Sequence, residues 1–156
     1  MVDAPPTLVL VPPTFLFTKF AKEMPASPRL SIVIPVYNEA SIVASAAAEL
    51  VEGLEKRGWD YEIIFAENGS KDSTPQILEG LTATNPRLRW FHSETPNYGS
   101  ALKRGIIEAR GELVVCDEID LCHLSFYDAA LPVLDEKRVD LVVGSKAAKG
   151  SSDRRP

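Results

Sequence analysis

The sequence is poor in cysteine and carries no excess of positive charge. Among its 156 residues the only cysteines are Cys116 and Cys122, which are too few for a disulfide scaffold and are spaced unlike a common zinc ligand set. We therefore expect a reducing, cytoplasmic setting, with both thiols packed against other side chains. The formal net charge of −5 lacks the basic excess of most nucleic-acid-binding proteins, so basic partners or metal ions fit better than nucleic acid.

Long apolar runs are absent as well, since none approaches the roughly 18–20 residues of a membrane-spanning helix. Residues 1–28 contain two short apolar runs, Leu8–Val11 and Phe15–Phe17, separated by Pro12 and Pro13 and not preceded by the basic segment of a secretory signal. We interpret residues 1–28 as a proline-rich, loosely ordered extension. The alternative is an arm that docks on a membrane surface or a partner, because exposed apolar side chains are costly in water.

From residue 29 onward, short apolar runs alternate with segments whose apolar residues recur every three or four positions. The runs predict five strands, at 30–36, 61–66, 88–92, 112–116 and 139–145. The periodic segments predict four helices, at 39–58, 74–83, 98–110 and from about 125 onward, the last bent or shortened at Pro132.

Two of these helices carry more specific predictions. In the third helix, Leu102, Ile106 and Ala109 are predicted to share one face. In the fourth, Ser125 and Asp128 resemble a capping box, in which a side chain at the helix start accepts a hydrogen bond from a free backbone N–H.

The repeated alternation of strand and helix predicts an α/β fold, with a mostly parallel sheet between two layers of helices. We expect residues 29–150 to form one domain, followed by a polar tail at 151–156. Ligands of such open sheets bind beyond the carboxyl ends of the strands. The loops at these ends contain neither G-x-x-x-x-G-K-[ST] nor, after the first strand, G-x-G-x-x-G, which excludes the P-loop and the dinucleotide fingerprint.

The fourth predicted strand runs directly into three carboxylates, those of Asp117, Glu118 and Asp120. Clustered carboxylates repel one another and raise one another's pKa unless a cation compensates. A divalent ion such as Mg²⁺ or Mn²⁺ is held by oxygen ligands of this kind and can bridge diphosphate oxygens. The alternative is an acidic loop that holds no metal.

Four stretches resemble, in order and spacing, the nucleotide-binding half of family 2 glycosyltransferases, which have the GT-A fold. They are "LSIVIPVYNEA", "IIFAENGSKDST", "NYGSALKRGIIEARGELVV" and the acidic element after the fourth strand. The resemblance covers residues 30 to about 150 and is nearest in style to dolichyl-phosphate mannose synthase-like enzymes. It implies transfer of a sugar from a nucleotide-diphosphate sugar, usually with inversion at the anomeric carbon.

The resemblance also implies a set of nucleotide-binding residues in the loops after the first three strands. The set consists of Pro35, Tyr37, Glu39, Glu67, Asn68, Asp72, Gly99 and Lys103. The first three would line the base and ribose pocket. Glu67 and Asn68 stand where the family usually has two aspartates; Glu67 would accept hydrogen bonds from the base, whereas Asp72 would brace its loop.

Each of these stretches also has a plainer interpretation. "NGSKDST" is typical of a turn followed by a helix cap. Lys103 and Arg104, which the resemblance places one helical turn beyond the diphosphate loop, could equally form a solvated helix face. Lys146, which resembles a basic residue near the donor, could simply lie in an exposed loop.

Alignment of the acidic element with the family's D-x-D pattern places Glu118 and Asp120 at the two metal-binding positions. If the chain stays extended there, these side chains point the same way and could grip one ion. Asp117 paired with Asp120 is the alternative register. His123 follows as a weaker candidate ligand, whereas His92 is interpreted as structural because it ends a strand.

The resemblance also bears on the acceptor of the sugar. Family members that glycosylate hydroxyl groups use a later carboxylate as general base, and that segment would lie beyond Pro156. If the chain is complete, we expect an acceptor that needs no base, such as a polyprenyl phosphate, because a phosphate monoester is largely ionised at pH 7. Membrane-peripheral location and homo-oligomerisation are compatible with this prediction.

Two other classes of function stay open. The chain could be a catalytically silent module that binds nucleotide-sugar or serves in assembly. It could also be a nucleotidyltransferase of related fold, although "PVYNEA" lacks the glycine-rich loop usual in that class.

Overall fold

The computed structural model describes residues 27–136 and 139–144, in which four strands alternate with four helices. The strands are β1 Leu30–Val36, β2 Tyr61–Glu67, β3 Leu88–His92 and β4 Leu113–Cys116. The helices are α1 Val43–Lys56, α2 Thr74–Thr84, α3 Tyr98–Glu108 and α4 Leu124–Asp135. Most of the predicted extension, residues 1–26, and the whole predicted tail lie outside the described residues.

The strands form one parallel sheet in the order β3-β2-β1-β4. β1 pairs with β2 over its whole length and with β4 over Leu30 to Val33. At the carboxyl edge, the register sets Val36 beside Glu67, and Glu67 beside His92. The loops that follow β1, β2 and β3 therefore start side by side.

Helices cover both faces of the sheet, which confirms the predicted α/β fold with its two helical layers. On one face, Ile32 and Ile34 of β1 join a large core with residues of α1, α2 and α4. On the other face, Val33 packs in a smaller core with Ala101 of α3. Because successive strand side chains point to opposite faces, an apolar run such as "LSIVIPV" can serve both cores.

Helix α3 packs through small residues, and the predicted common face of Leu102, Ile106 and Ala109 is wrong for Ile106 only, since Leu102 and Ala109 pack against the smaller core. Ala101 and Gly105 are the buried residues of this helix, whereas Ile106 is exposed. A Cβ atom added at Gly105 would lie 2.3 Å from Cγ1 of Val33. The backbone of the helix therefore lies too close to β1 to leave room for a side chain at Gly105. Because the contact is made by glycine and alanine, it produces little apolar periodicity in the sequence.

The start of α4 also differs from the prediction. The helix begins at Leu124 with His123 as N-cap, and no side chain caps its first turn. Asp128 instead accepts two hydrogen bonds from the guanidinium of Arg57, at 2.9 Å from Nε and 2.8 Å from Nη2. The predicted capping box is wrong because Ser125 already lies inside the helix.

The predicted fifth strand is not formed over residues 139–144, the described part of that segment. Leu141 and Val143 are 75% and 73% exposed. An apolar run shows that side chains can be buried, but a strand also needs a neighbour for its backbone hydrogen bonds. Within the described residues β4 pairs with β1 alone, and its side chains are half-buried or exposed.

None of the helices in the described part of the chain is both long and apolar enough to cross a membrane.

Gly105→Ala should destabilise the protein, because its new methyl group would press on a stiff, β-branched side chain in a packed core. We expect a loss of about 1–3 kcal/mol in the free energy of unfolding. Gly80→Ala is the matched control, since Gly80 is also helical and nothing lies within 4 Å of its added Cβ. That variant should gain about 0.5–1 kcal/mol. Urea unfolding of both variants measures these changes, and equal stability of the two would contradict the close contact.

Candidate functional site

The loops after β1 and β2 are fastened to each other by Asn38 and Ser70. Asn38 has a positive φ of 56°, a conformation that Asn adopts more readily than most residues. Its backbone N–H donates to Oγ of Ser70 at 2.9 Å, and its side-chain oxygen accepts from the N–H of Lys71 at 2.8 Å. Tyr37, one residue earlier, is left 42% exposed at the carboxyl edge of the sheet.

Asp72 makes a second connection between the same loops. One carboxylate oxygen accepts from the backbone N–H of Thr74 at 3.0 Å and from its hydroxyl at 2.6 Å; the other accepts from the N–H of Ala40 at 3.1 Å. Buried Thr74 in turn accepts from the N–H of Glu39 at 3.0 Å. Hydrogen bonds from Thr74 are the main reason that the pKa of Asp72 is lowered. Asp72 therefore braces both loops through the backbone.

Glu67 ends β2 as a fully buried carboxylate. One of its oxygens accepts from the N–H of Ser70 at 2.5 Å, and the other is in short contact with Nδ1 of His92. Burial acts to raise the pKa of Glu67, but hydrogen bonds from Ser70 and His92 outweigh burial and lower it. Gly69 lets the chain turn here, with φ of 79° and Ser93 O at 3.0 Å from an added Cβ.

Asn68 fixes the loop that leads into α3. Its side-chain oxygen accepts from the N–H of Asn97 at 2.6 Å. Asn97 then caps the helix, accepting from the N–H of Ser100 at 2.9 Å. Tyr98 and Gly99 in the first turn are exposed, so the positive end of the helix dipole faces the carboxyl edge of the sheet.

Of the two basic residues on α3, Arg104 is held by contacts within the protein. Its guanidinium lies 4.0 Å from the ring centroid of Phe91, donates to the carbonyl of His92 at 3.2 Å and pairs with Glu108 at 2.7 Å. Lys103 is exposed. Lys146, which was predicted near the donor, lies outside the described residues.

The acidic element after β4 turns sharply, so the extended chain that would make Glu118 and Asp120 point the same way is not formed. The carbonyl of Glu118 accepts from the N–H groups of Leu121, at 3.0 Å, and Cys122, at 3.3 Å. Ile119 is buried in the large core, and Glu118 and Asp120 on either side of it are exposed. The buried isoleucine thus anchors a turn that holds two carboxylates in solvent.

Asp117 is tied into the protein. One of its oxygens accepts from the N–H of Glu118 at 2.8 Å, and the other accepts from the hydroxyl of Tyr127 at 2.6 Å. Tyr127 lies on α4 and is 1% exposed. Burial, followed by the charge of Asp117, raises the pKa of the Tyr127 hydroxyl. Asp117 therefore connects the acidic turn to α4.

Carboxylates from three loops converge near Glu39. Burial is the first cause of the raised pKa of Glu39, and the charges of Asp120 and Asp72 add to it. Burial likewise raises the pKa of Tyr98, with Glu118 as the next cause. The carboxyl edge of the sheet therefore concentrates negative charge beside the positive end of α3.

The residues around the acidic turn do not form a complete metal cage. Within residues 27–136 and 139–144, no group of three or more His, Cys, Asp and Glu side chains is arranged to hold an ion. Glu118 and Asp120 are exposed and carry no hydrogen bond on their side chains within that part of the chain. This fits Mg²⁺ or Mn²⁺ bound by one or two carboxylates, with substrate phosphates and water as the other ligands.

His123 and Asp120 lie on an open groove of about 480 Å³ between α1 and residues 119–124, lined also by Ile42, Ala46 and Leu50.

The two cysteines, Cys116 and Cys122, differ in burial. Cys122 packs against the large core, and burial raises its pKa to about 12. Cys116 is exposed, so the prediction that both thiols are packed is wrong for this one.

Sequence reasoning missed the side chains that fasten the loops together. Asn38, Ser70 and Thr74 lie within the quoted stretches but were given no role, and Tyr127 was not considered. The Ser and Thr residues close to Asp72 indicate a loop held by side-chain hydrogen bonds, because such side chains commonly hydrogen-bond nearby backbone groups. The contact between Glu67 and His92 depends on strand register, which the sequence does not state.

Comparison with known proteins identifies the group to which the chain belongs. The sequence profile "Glycosyl transferase family 2" matches residues 31–155. Glycosyltransferase AglD of Haloferax volcanii is 37% identical over 99 residues, which are 62% of this chain and 16% of that protein. A dolichyl-phosphate beta-glucosyltransferase of Trichomonas vaginalis is 29% identical over 102 residues, 62% of this chain and 30% of the relative.

A third relative is the prophage bactoprenol glucosyl transferase homolog of Escherichia coli K12, 32% identical over 95 residues, 60% of this chain and 31% of that protein. The chain thus spans less than a third of the length of these relatives. Among solved structures, residues 1–349 of TarS from S. aureus superpose with a TM-score of 0.54 at 23% identity, covering 70% of this chain and 33% of that one. This likeness shows the fold, which is the expected GT-A fold. Because the family profile covers most of the chain, the protein belongs to glycosyl transferase family 2.

Proposed function

We propose that the chain is the nucleotide-sugar-binding part of a glycosyltransferase. The observation that carries the proposal is the meeting of four loops at one edge of the sheet, where exposed Glu118 lies near the capped start of α3 and exposed Asp120 lies near Glu39. A helix N-terminus favours a phosphate group, and carboxylates favour a divalent ion that bridges phosphate oxygens. Together these features suit the diphosphate of a sugar donor.

The nucleotide is assigned to the loops after β1 and β2. Pro35 lies near the end of β1, and Tyr37 and Glu39 lie in the loop after it, where the exposed ring of Tyr37 can lie against a base. The hydrogen bonds that Asp72 and Asn38 make to the neighbouring loop hold this surface in place before a ligand arrives. Such preorganisation lowers the entropy that binding costs.

The metal is assigned to Glu118 and Asp120, with His123 at the edge of the same turn. A bound Mg²⁺ or Mn²⁺ supplies Lewis-acid stabilisation of the negative charge on the departing diphosphate. Asp117 is assigned a supporting role, because both of its oxygens already accept hydrogen bonds.

The reaction proposed is a single displacement at the anomeric carbon. An acceptor oxygen forms the new bond to this carbon while the bond to the diphosphate oxygen breaks, and the diphosphate leaves with the electron pair. If the acceptor is a phosphate monoester, its oxygen is already ionised at pH 7 and needs no protein base. A polyprenyl phosphate is the acceptor we favour, because the names of two relatives refer to dolichyl-phosphate and bactoprenol.

The second candidate function is a silent module that binds the donor without transferring its sugar. The observation that favours it is that Glu67 and Asn68 stand where the family usually has two aspartates, and that Glu67 is fully buried. Incubation of labelled nucleotide-sugars with a polyprenyl phosphate distinguishes the two, because only the transferase forms a labelled lipid.

Asp120→Ala should weaken metal-dependent donor binding. Changes in the support around a metal site typically cost 10–100-fold in affinity, and loss of a ligand should cost at least about tenfold. A thermal-shift screen of nucleotide-diphosphate sugars with and without Mn²⁺ measures this, since a ligand of the folded state raises Tm. Glu79→Ala, which removes an exposed carboxylate in the middle of α2, is the control and should bind as the parent does. Donor binding that does not depend on Mn²⁺, or an unchanged affinity in Asp120→Ala, would contradict the assignment of the metal to Glu118 and Asp120.

Tyr127→Phe should loosen the acidic turn without touching an exposed carboxylate. The variant loses a part-buried hydrogen bond to a charged group, for which we expect about 1.5–3 kcal/mol of destabilisation, together with weaker Mn²⁺-dependent donor binding. Ser125→Ala on the same helix is the control and should change stability by less than about 0.5 kcal/mol, because no side chain caps α4. Chemical denaturation and donor titration measure both effects; similar losses in the two variants would argue against the supporting role of Asp117.

A further inference from the structure

His92 stands between a buried carboxylate and solvent at the carboxyl edge of the sheet. The register of β2 and β3 sets it directly beside Glu67. The side chain of Glu67 is 0% exposed, whereas that of His92 is 47% exposed. The Glu67 carboxylate therefore has no surface with which to meet a ligand, and the imidazole that covers one of its oxygens does.

The contact with Glu67 sets the chemistry of the exposed side of the ring. A carboxylate oxygen is an acceptor, so Nδ1 of His92 carries the proton that lies between them. In the neutral ring the other nitrogen, Nε2, is then an acceptor. Among the hydrogen bonds of the described residues, that of the His92 ring uses Nδ1 alone.

The backbone around His92 is held firmly. Its carbonyl accepts from Arg104 at 3.2 Å, and the same guanidinium lies over the ring of the preceding Phe91. On the other side, Ser93 donates its N–H to the carbonyl of Glu67 at 3.0 Å. Nε2 of His92 is thus an exposed acceptor at the end of a firmly held strand, and Glu67 orients its ring. Preorganised groups of this kind are suited to recognising a ligand.

We propose that His92 reads the base of the nucleotide through Nε2, with Glu67 as the positioning residue that orients the ring. The inference rests on the proposed function, because it places the nucleotide at the ends of β1 and β2. An acceptor at Nε2 selects a base with a ring N–H on its pairing edge. Uracil, thymine and guanine have such an N–H, whereas cytosine and adenine present an unprotonated nitrogen there. The ligand class is therefore a uridine, thymidine or guanosine diphosphate sugar.

Calorimetric titration of UDP, TDP, GDP, CDP and ADP with Mn²⁺ tests the proposal. The parent protein should prefer UDP, TDP or GDP. His92→Asn keeps a polar group near Glu67 but removes Nε2, so affinity for the preferred nucleotide should fall about two- to tenfold, the typical net worth of one hydrogen bond, while CDP and ADP change little. His92→Gln places an amide near the position of Nε2 and should recover part of the preference.

The outcomes separate this inference from the proposed function. If none of the five nucleotides binds the parent protein, both are overturned. If they bind and His92→Asn weakens all five equally or keeps the preference, the role of His92 is overturned while donor binding stands.

A measurement on the parent protein covers the case in which the variants do not fold. The chain has two histidines, so the ¹⁵N signals of His92 can be assigned by comparison with His123→Asn. Addition of the preferred UDP, TDP or GDP should shift the Nε2 signal of His92, because its lone pair becomes engaged; an unchanged signal at saturation overturns the proposal.

Discussion

The parallel pairing of β1 with both of its neighbours is the constraint on which the rest of the structure depends. β1 is buried along nearly its whole length and supplies Ile32 to one core and Val33 to the other. A parallel sheet needs a crossover after each strand, so every loop that starts at a carboxyl end starts at the same edge. The register adds that Val36, Glu67 and His92 end in one row. Residues far apart in sequence are thus neighbours before any loop is shaped.

Loop shape then depends on side chains that bind the backbone of a neighbouring loop. Asp72 holds the N–H of Ala40, Asn38 holds that of Lys71, and Asn68 holds that of Asn97. Each bond satisfies a backbone donor that a loop would otherwise leave to water. The hydrogen bonds of these short polar side chains are therefore used to fix the loops. Exposed groups such as Tyr37 are available to contact a ligand. A family motif contains both kinds of residue, and it does not show which of them fix a loop and which contact a ligand.

The four strands and four helices follow from the sequence because their apolar runs and periodicity are strong and local. The failures share one cause, which is dependence on a partner. Gly105 packs closely against Val33 of β1, a contact that depends on how the helix lies on the sheet. The apolar run around Leu141 forms no strand because a strand requires a paired neighbour. Within the site, the sequence indicates which loops matter, but it could not show that Glu67 is buried under His92, since that contact exists only once β2 and β3 are in register.

Electrostatics at the acidic turn explains why its three carboxylates are not equivalent. Asp117 accepts hydrogen bonds from the hydroxyl of Tyr127 and from a backbone N–H, so both of its oxygens have partners within the protein. Glu118 and Asp120 face solvent, and the charge of Asp120 already opposes ionisation of Glu39. Adding a diphosphate would increase this repulsion, because like charges disfavour each other's ionised forms. We therefore expect donor and divalent ion to bind as a pair, in which the diphosphate would supply the oxygen ligands that Glu118 and Asp120 leave open.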